Sequence, residues 1–205
     1  GDMRKYALLI LFLVAFFNYK AQYKKHMVEG NLLLLEENYG RALLEYQKAY
    51  SYDSLNSNIN FKLGFCYLKH PTEKHRAEEF LERAVKNVSK TYDEEDPMEK
   101  AAPPMAYLYL GMAFHLDYKF DDALKMFETY ESYLNPKKFK DEVELVEHYK
   151  SQVHNAQERY ATPINVVITN MGDSVNSQYS EISPVLSADE RMMIFTYAGP
   201  LSMGS

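Results

Sequence analysis

The chain has 205 residues, a formal net charge of -6, and 18 Tyr and 11 Phe without a Trp. One ordinary core and a small second module fit this length, and rings interdigitating between helices suit the aromatic content. The negative charge, with no local Lys/Arg block, excludes an electrostatic footprint for nucleic acid, and the single cysteine, Cys66, excludes an internal disulfide framework.

Arg4 and Lys5 precede an unbroken apolar run from Tyr6 to Phe17, and a polar stretch with Ala21 follows. This is the order of a secretory signal peptide, residues 1–21. An apolar helix of that length reaches about 18 Å, short of the roughly 30 Å hydrocarbon core, so export is favoured over a spanning anchor. Removing Asp2, Arg4, Lys5 and Lys20 with this segment takes the formal charge from -6 to -8. The expected location is periplasmic or outer-membrane associated.

Gly30 and Gly64 are 34 residues apart, and their surroundings recur at Gly111. The first unit runs Gly30, Leu33, Ala42, Tyr46 and Ala49; the third runs Gly111, Phe114, Ala123, Phe127 and Tyr130. A period of 34 marks tetratricopeptide repeats, in which small residues let two antiparallel helices cross closely and aromatics fill the flanks. The second unit has Gly64, Tyr67, Ala77, Leu81 and Ala84, with a turn one residue longer at Pro71 to Lys74.

The spacing therefore predicts an all-α superhelix of three helical hairpins, residues 22–161, with units at about 23–54, 56–90 and 103–136 and a capping helix at 138–161. Between units two and three, an acidic insertion around Tyr92 to Pro97 reads as a solvated connection, since it lacks the alternating acids and turn Gly of a calcium loop. In the cap, Val143, Val146, Tyr149, Val153, Ala156 and Tyr160 recur at helical steps.

From Pro163 the helical period stops. Residues 164–170 read as a strand before a turn at 171–173, residues 192–197 as a second strand, and the polar stretch 179–190 as turn-rich connection. The run Ser183-Pro184-x-Leu186-Ser187-x-Asp189-Glu190 followed by Ile194-Phe195-Thr196 resembles the repeat of TolB-like (WD-type) β-propellers, with 162–205 an incomplete blade. The order of modules, with the stretches Asn60 to Leu68 and Lys86 to Lys90, resembles the N-terminal part of a Bacteroidota envelope-protein family. Longer members of that family continue to an OmpA-like peptidoglycan-binding domain.

No phosphate loop, nucleophile elbow, paired-carboxylate signature or HExxH pair occurs, so no catalytic residue, metal site or cofactor is expected. Cys66 is expected as a buried thiol. Counting from each crossing glycine, the groove of the stacked first helices is expected to present Met27, Asn31, Leu34, Phe61, Phe65, Leu68, Leu108, Met112 and His115. This mostly apolar set suits a protein partner, namely a peptide, a helix or the downstream propeller, rather than nucleic acid or a small-molecule cofactor. The leading expectation is a non-catalytic envelope scaffold, with outer-membrane association through its partners. The alternatives are the N-terminal half of an OmpA-like, peptidoglycan-linked accessory protein of the outer membrane or secretion system, and the front end of a propeller-bearing peptidase. The opposing reading of the groove is that these side chains are buried internally.

Overall fold

A computed structural model describes residues 2–167, 169–173, 175–189, 191–197 and 199–200, with the side chains of residues 2, 4, 7–17 and 181 left out. The chain forms α1 (Asp2–Leu35), α2 (Tyr39–Tyr50), α3 (Ser57–Lys69), α4 (Ala77–Ala84, entered through a 3-10 turn at Lys74–Arg76), α5 (Met105–Leu116), α6 (Phe120–Glu131) and α7 (Lys140–Ala161). A hairpin of β1 (Glu181–Leu186) and β2 (Met193–Tyr197) follows. Most side chains of the expected signal segment lie outside the described residues; its backbone is continuous with the first repeat helix in α1.

The helical unit is a tetratricopeptide-type stack of the pairs α1/α2, α3/α4 and α5/α6 with α7 packed on α6. The three crossing glycines explain the pairing. A Cβ on Gly30 would strike the ring of Tyr46, one on Gly64 the side chain of Leu81, and one on Gly111 would sit 2.5 Å from Cε1 of Phe127. Tyr46, Leu81 and Phe127 are fully buried against that bare backbone. The small residues of the second helices, Ala42, Ala77 and Ala123, are fully buried as well.

The period is also written in the backbone. Seven residues after Gly30 and Gly111, Glu37 and Tyr118 take φ of 56° and 59°. In each turn the following amide donates five residues back, Asn38 to the Leu33 carbonyl and Lys119 to the Phe114 carbonyl, both at 2.9 Å. This is the Schellman closure of a helix. The equivalent residue of unit two is Pro71, whose ring forbids positive φ. There the chain leaves α3 through an extended His70 and re-enters by the 3-10 turn, which accounts for the longer connection.

The insertion between α4 and α5 departs from the sequence expectation. It is stitched to the N-terminus of α3: the Ser57 and Asn58 amides donate to the Lys100 carbonyl at 3.1 and 3.3 Å, and the Asn56 and Asn58 side-chain amides donate to the Glu99 carbonyl. The Tyr92 hydroxyl donates to Asn58 Oδ1 at 3.0 Å. The Glu99 carboxylate accepts the amides of Asp93, Lys100 and Ala101, and these bonds hold its pKa below the usual carboxylate range. Unfilled backbone donors at a helix start recruit acceptors, and the insertion supplies them.

In the cap, Val146 and Val153 are fully buried and Tyr149 stacks on Phe127 at 5.7 Å. Tyr160, expected on the packed face, is 67% exposed.

Residues Pro163–Ser205 form a separate unit. The strand expected at 164–170 is not formed: the described residues of that run are irregular, and Ile168 lies outside them. The stretch 179–190, expected as connection, instead supplies β1, antiparallel to β2, with an irregularity between Ile182 and Val185 where Ser183 has φ 55°. The turn is built on Ser187 and Asp189. Ser187 Oγ donates to Asp189 Oδ1 at 2.6 Å, and the Met192 amide donates to Ser187 Oγ at 3.0 Å. Local hydroxyl and carboxylate bonds of this kind specify a turn.

Gly111→Ala is expected to destabilise the protein by about 1–3 kcal/mol through overpacking. Gly40→Ala, whose Cβ would meet nothing within 4 Å, is expected to stabilise it by up to about 1 kcal/mol through helix propensity. Urea unfolding of both variants checks the pair. Limited proteolysis is expected to cut first between Pro163 and Ser180 and to leave a resistant fragment ending near Thr162, read by mass spectrometry.

Candidate binding groove

The first helices of the stack line a groove. One open cavity of about 500 Å³ is lined by Val28, Asn31, Leu32, Leu34 and Leu35 of α1, Lys62 of α3, and Glu94, Glu95 and Pro97 of the insertion. A second, of about 330 Å³, continues over Leu34, Leu35, Glu37, Tyr39, Phe61, Lys62, Phe65, Glu94, Met105 and Tyr109. An aromatic shelf floors it: Phe65 packs on Tyr109 at 4.9 Å and edge-on to Tyr39 at 5.9 Å, and Phe61 stacks on Tyr109 at 5.8 Å. Lys69 Nζ sits 5.5 Å from the Phe65 ring centre, in reach of a cation–π attraction.

Four of the nine residues expected in the groove line these cavities: Asn31, Leu34, Phe61 and Phe65. Met27, Leu68 and Leu108 are buried in the core instead, at 0%, 7% and 4% exposure. Met112 packs half-buried against the core, and His115 lies beside the Phe120 ring at 6.1 Å, where burial lowers its pKa.

The physical reason is a rotation of the lining stripe. On these helices the cavity-lining positions fall two residues before and one after the crossing glycine: Val28 and Asn31, Lys62 and Phe65, with Tyr109 in unit three. Of the positions three before the glycine, Met27 and Leu108 turn wholly into the helix pair, while Phe61, itself only 8% exposed, still borders the second cavity against Tyr109. A helix advances 100° per residue, so one step moves a side chain from floor to core.

Sequence reasoning missed Val28, Leu35, Lys62, Tyr109 and the acidic insertion. The stripe could have been found from the repeat of spacing; Lys62 could not, because a lysine in an amphipathic helix reads as solvated surface. Yet its side chain is 2% exposed. Its ammonium faces Glu94 Oε1 at 3.7 Å, while Glu94 itself is 76% exposed. Desolvation lowers the Lys62 pKa, opposed by the Glu94 charge. One turn on, Cys66 is 1% exposed, and burial pushes its thiol up to about 12. Such a thiol is a poor nucleophile at neutral pH.

Two polar pairs lie beside the floor. The Tyr46 hydroxyl donates to Asn31 Oδ1 at 2.9 Å, which fixes the Asn31 amide at the cavity wall. His26 lies against Glu45 at 2.7 Å, on the flank where α1 meets α2. Among the described residues no group of three or more His, Cys, Asp or Glu converges as metal ligands.

A buried ammonium whose partner is a solvated carboxylate costs stability that an apolar side chain of like volume does not. Lys62→Met is therefore expected to stabilise the fold by about 1 kcal/mol. The folded-state pKa of Lys62 is lowered, so the unfolded chain binds the extra proton and the native protein gains stability as pH rises from the folded value towards the unfolded one. The advantage of Lys62→Met is expected to shrink over that window. Urea midpoints at a series of pH values, with constant slope, measure both effects.

No protein-family model matches the chain, and no curated protein matches it. Among solved structures, the TPR domain of Sgt2 from Aspergillus fumigatus is similar over 74% of this chain and 92% of that chain, with 18% sequence identity and a TM-score of 0.47.

Proposed function

We propose that this chain is a non-catalytic protein-interaction scaffold of the bacterial cell envelope, binding a partner protein through the groove between α1, α3, α5 and the insertion. The observation that carries the reading is the apolar wall left open there. Leu35 is 83% exposed, Leu32 52% and Val28 41%, side by side on α1 above the Phe65 and Tyr109 shelf. A contiguous apolar concavity rimmed by charge is the surface that peptide-binding helical repeats use.

Envelope placement rests on the apolar segment after Arg4 and Lys5 and on the resemblance to Bacteroidota envelope proteins. A second reading, the N-terminal part of a larger propeller-bearing, OmpA-linked protein, draws support from the hairpin. Its Ile182, Val185, Leu186 and Ile194 side chains are each more than half exposed, as expected of a sheet that further strands cover.

Leu35→Glu and Phe65→Glu separate groove from core. Leu35→Glu, at an 83% exposed position, is expected to abolish capture of a partner from envelope extract while leaving the unfolding free energy within about 0.5 kcal/mol of wild type. Phe65→Glu is expected to abolish it with a larger stability loss, since that ring is half-buried against Tyr109. Retained capture by Leu35→Glu places the partner elsewhere.

A further inference from the structure

The two cavities are not independent. Both are bounded by Leu34, Leu35, Lys62 and Glu94, so the space is one track crossed in the middle by a single ion pair. The two sides of that pair are unequal. The Lys62 ammonium is almost wholly enclosed and carries three donors, whereas the Glu94 carboxylate stands 3.7 Å away and is mostly in solvent. That separation exceeds hydrogen-bond length. The ring and backbone of the insertion are fixed by other bonds, Tyr92 to Asn58 and the Glu99 carboxylate to the amides of Asp93, Lys100 and Ala101. Among the described residues, no side-chain hydrogen bond ties the 76% exposed Glu94 carboxylate to the bonds that hold the insertion in place.

Resting on the groove reading above, we propose that the ligand is an extended peptide segment bearing one acidic side chain between apolar residues, whose carboxylate replaces Glu94 on the Lys62 ammonium and joins the two cavities into one site. The flanking apolar residues then lie on Val28, Leu32 and Leu35 on one side and on Phe65, Tyr109 and Met105 on the other. The carboxylate loses its own hydration on entering, and the charge-assisted hydrogen bond it makes to the enclosed ammonium at closer range than Glu94 offsets that cost. A cationic residue at that point meets Lys62 directly. Glu37 and Glu95 stand at the rims, so a run of acids is repelled and a single one is selected.

The test uses the full chain and short acetylated, amidated peptides with leucines on either side of a central Glu, Gln or Lys, followed by fluorescence anisotropy. The Glu peptide is expected to bind wild type about tenfold more tightly than the Gln peptide, equivalent to about 1.4 kcal/mol. Glu94→Gln, which removes the competing charge at an exposed position, is expected to tighten Glu-peptide binding several-fold. Lys62→Met is expected to abolish the preference for Glu over Gln. Amide shifts on Glu-peptide binding are expected at both Val28 and Met105. Equal binding of the Glu and Gln peptides, preference for the Lys peptide, or a Glu preference that persists in Lys62→Met overturns the carboxylate inference and leaves the groove reading standing. Shifts confined to one cavity overturn the joined site. Failure of all three peptides to bind any variant removes the groove reading as well.

Discussion

The structure depends on three places where a helix backbone is bare enough for a large side chain of the next helix to lie directly on it. Tyr46 on Gly30, Leu81 on Gly64 and Phe127 on Gly111 set the distance between paired helices, and the buried alanines of the second helices keep it. Because interiors are close-packed, that distance fixes which neighbouring side chains are enclosed and which face the groove. The lining stripe, the shelf of Phe61, Phe65 and Tyr109, and the open wall of α1 all follow from those crossings.

The α3 helix and the Asn56 cap before it carry an unusual load of enclosed polarity. Asn56, Ser57, Asn58, Asn60 and Lys62 are all buried. The first three are satisfied by the insertion or by local capping: Asn56 Oδ1 accepts the amides of Asn58 and Ile59, and the Lys100 carbonyl accepts those of Ser57 and Asn58. The insertion is thus part of the superhelix rather than an appendage, and the thirteen or so extra residues between units two and three, relative to the 34-residue repeat, are the acceptors that make a polar helix start tolerable in the interior. Asn60 Oδ1 is buried without a hydrogen-bond partner, and Lys62 is the charged member of the set, its carboxylate partner Glu94 mostly in solvent, so its burial carries a stability cost at the wall of the groove. Trade-offs of this form concentrate at binding sites.

Much of the fold was legible in the sequence because repeats state the same constraint several times. The glycine period placed the helix pairs, with the alanine twelve residues on and the aromatic four beyond it in units one and three, and Pro71 marked the irregular turn that puts Ala77 thirteen residues after Gly64 in unit two. The candidate groove was legible only in part. Asn31, Leu34, Phe61 and Phe65 line it, but Met27, Leu68 and Leu108 turn inward, because apolar character does not distinguish a core position from a groove position one residue away. The hairpin was half legible: β2 is rich in apolar and β-branched residues, whereas β1 contains Ser183 and Pro184 and owes its strand to pairing with β2.

By itself the sequence determined the repeat, its helix pairs, the buried thiol at Cys66 and the break at Pro163, since each depends on local spacing or on the size of one residue. Tertiary structure alone decided the fate of the acidic insertion and of Lys62. Both are charged segments that local rules assign to solvent, and only the meeting of α3 with residues far along the chain encloses the lysine, holds Glu94 opposite it and divides the groove in two.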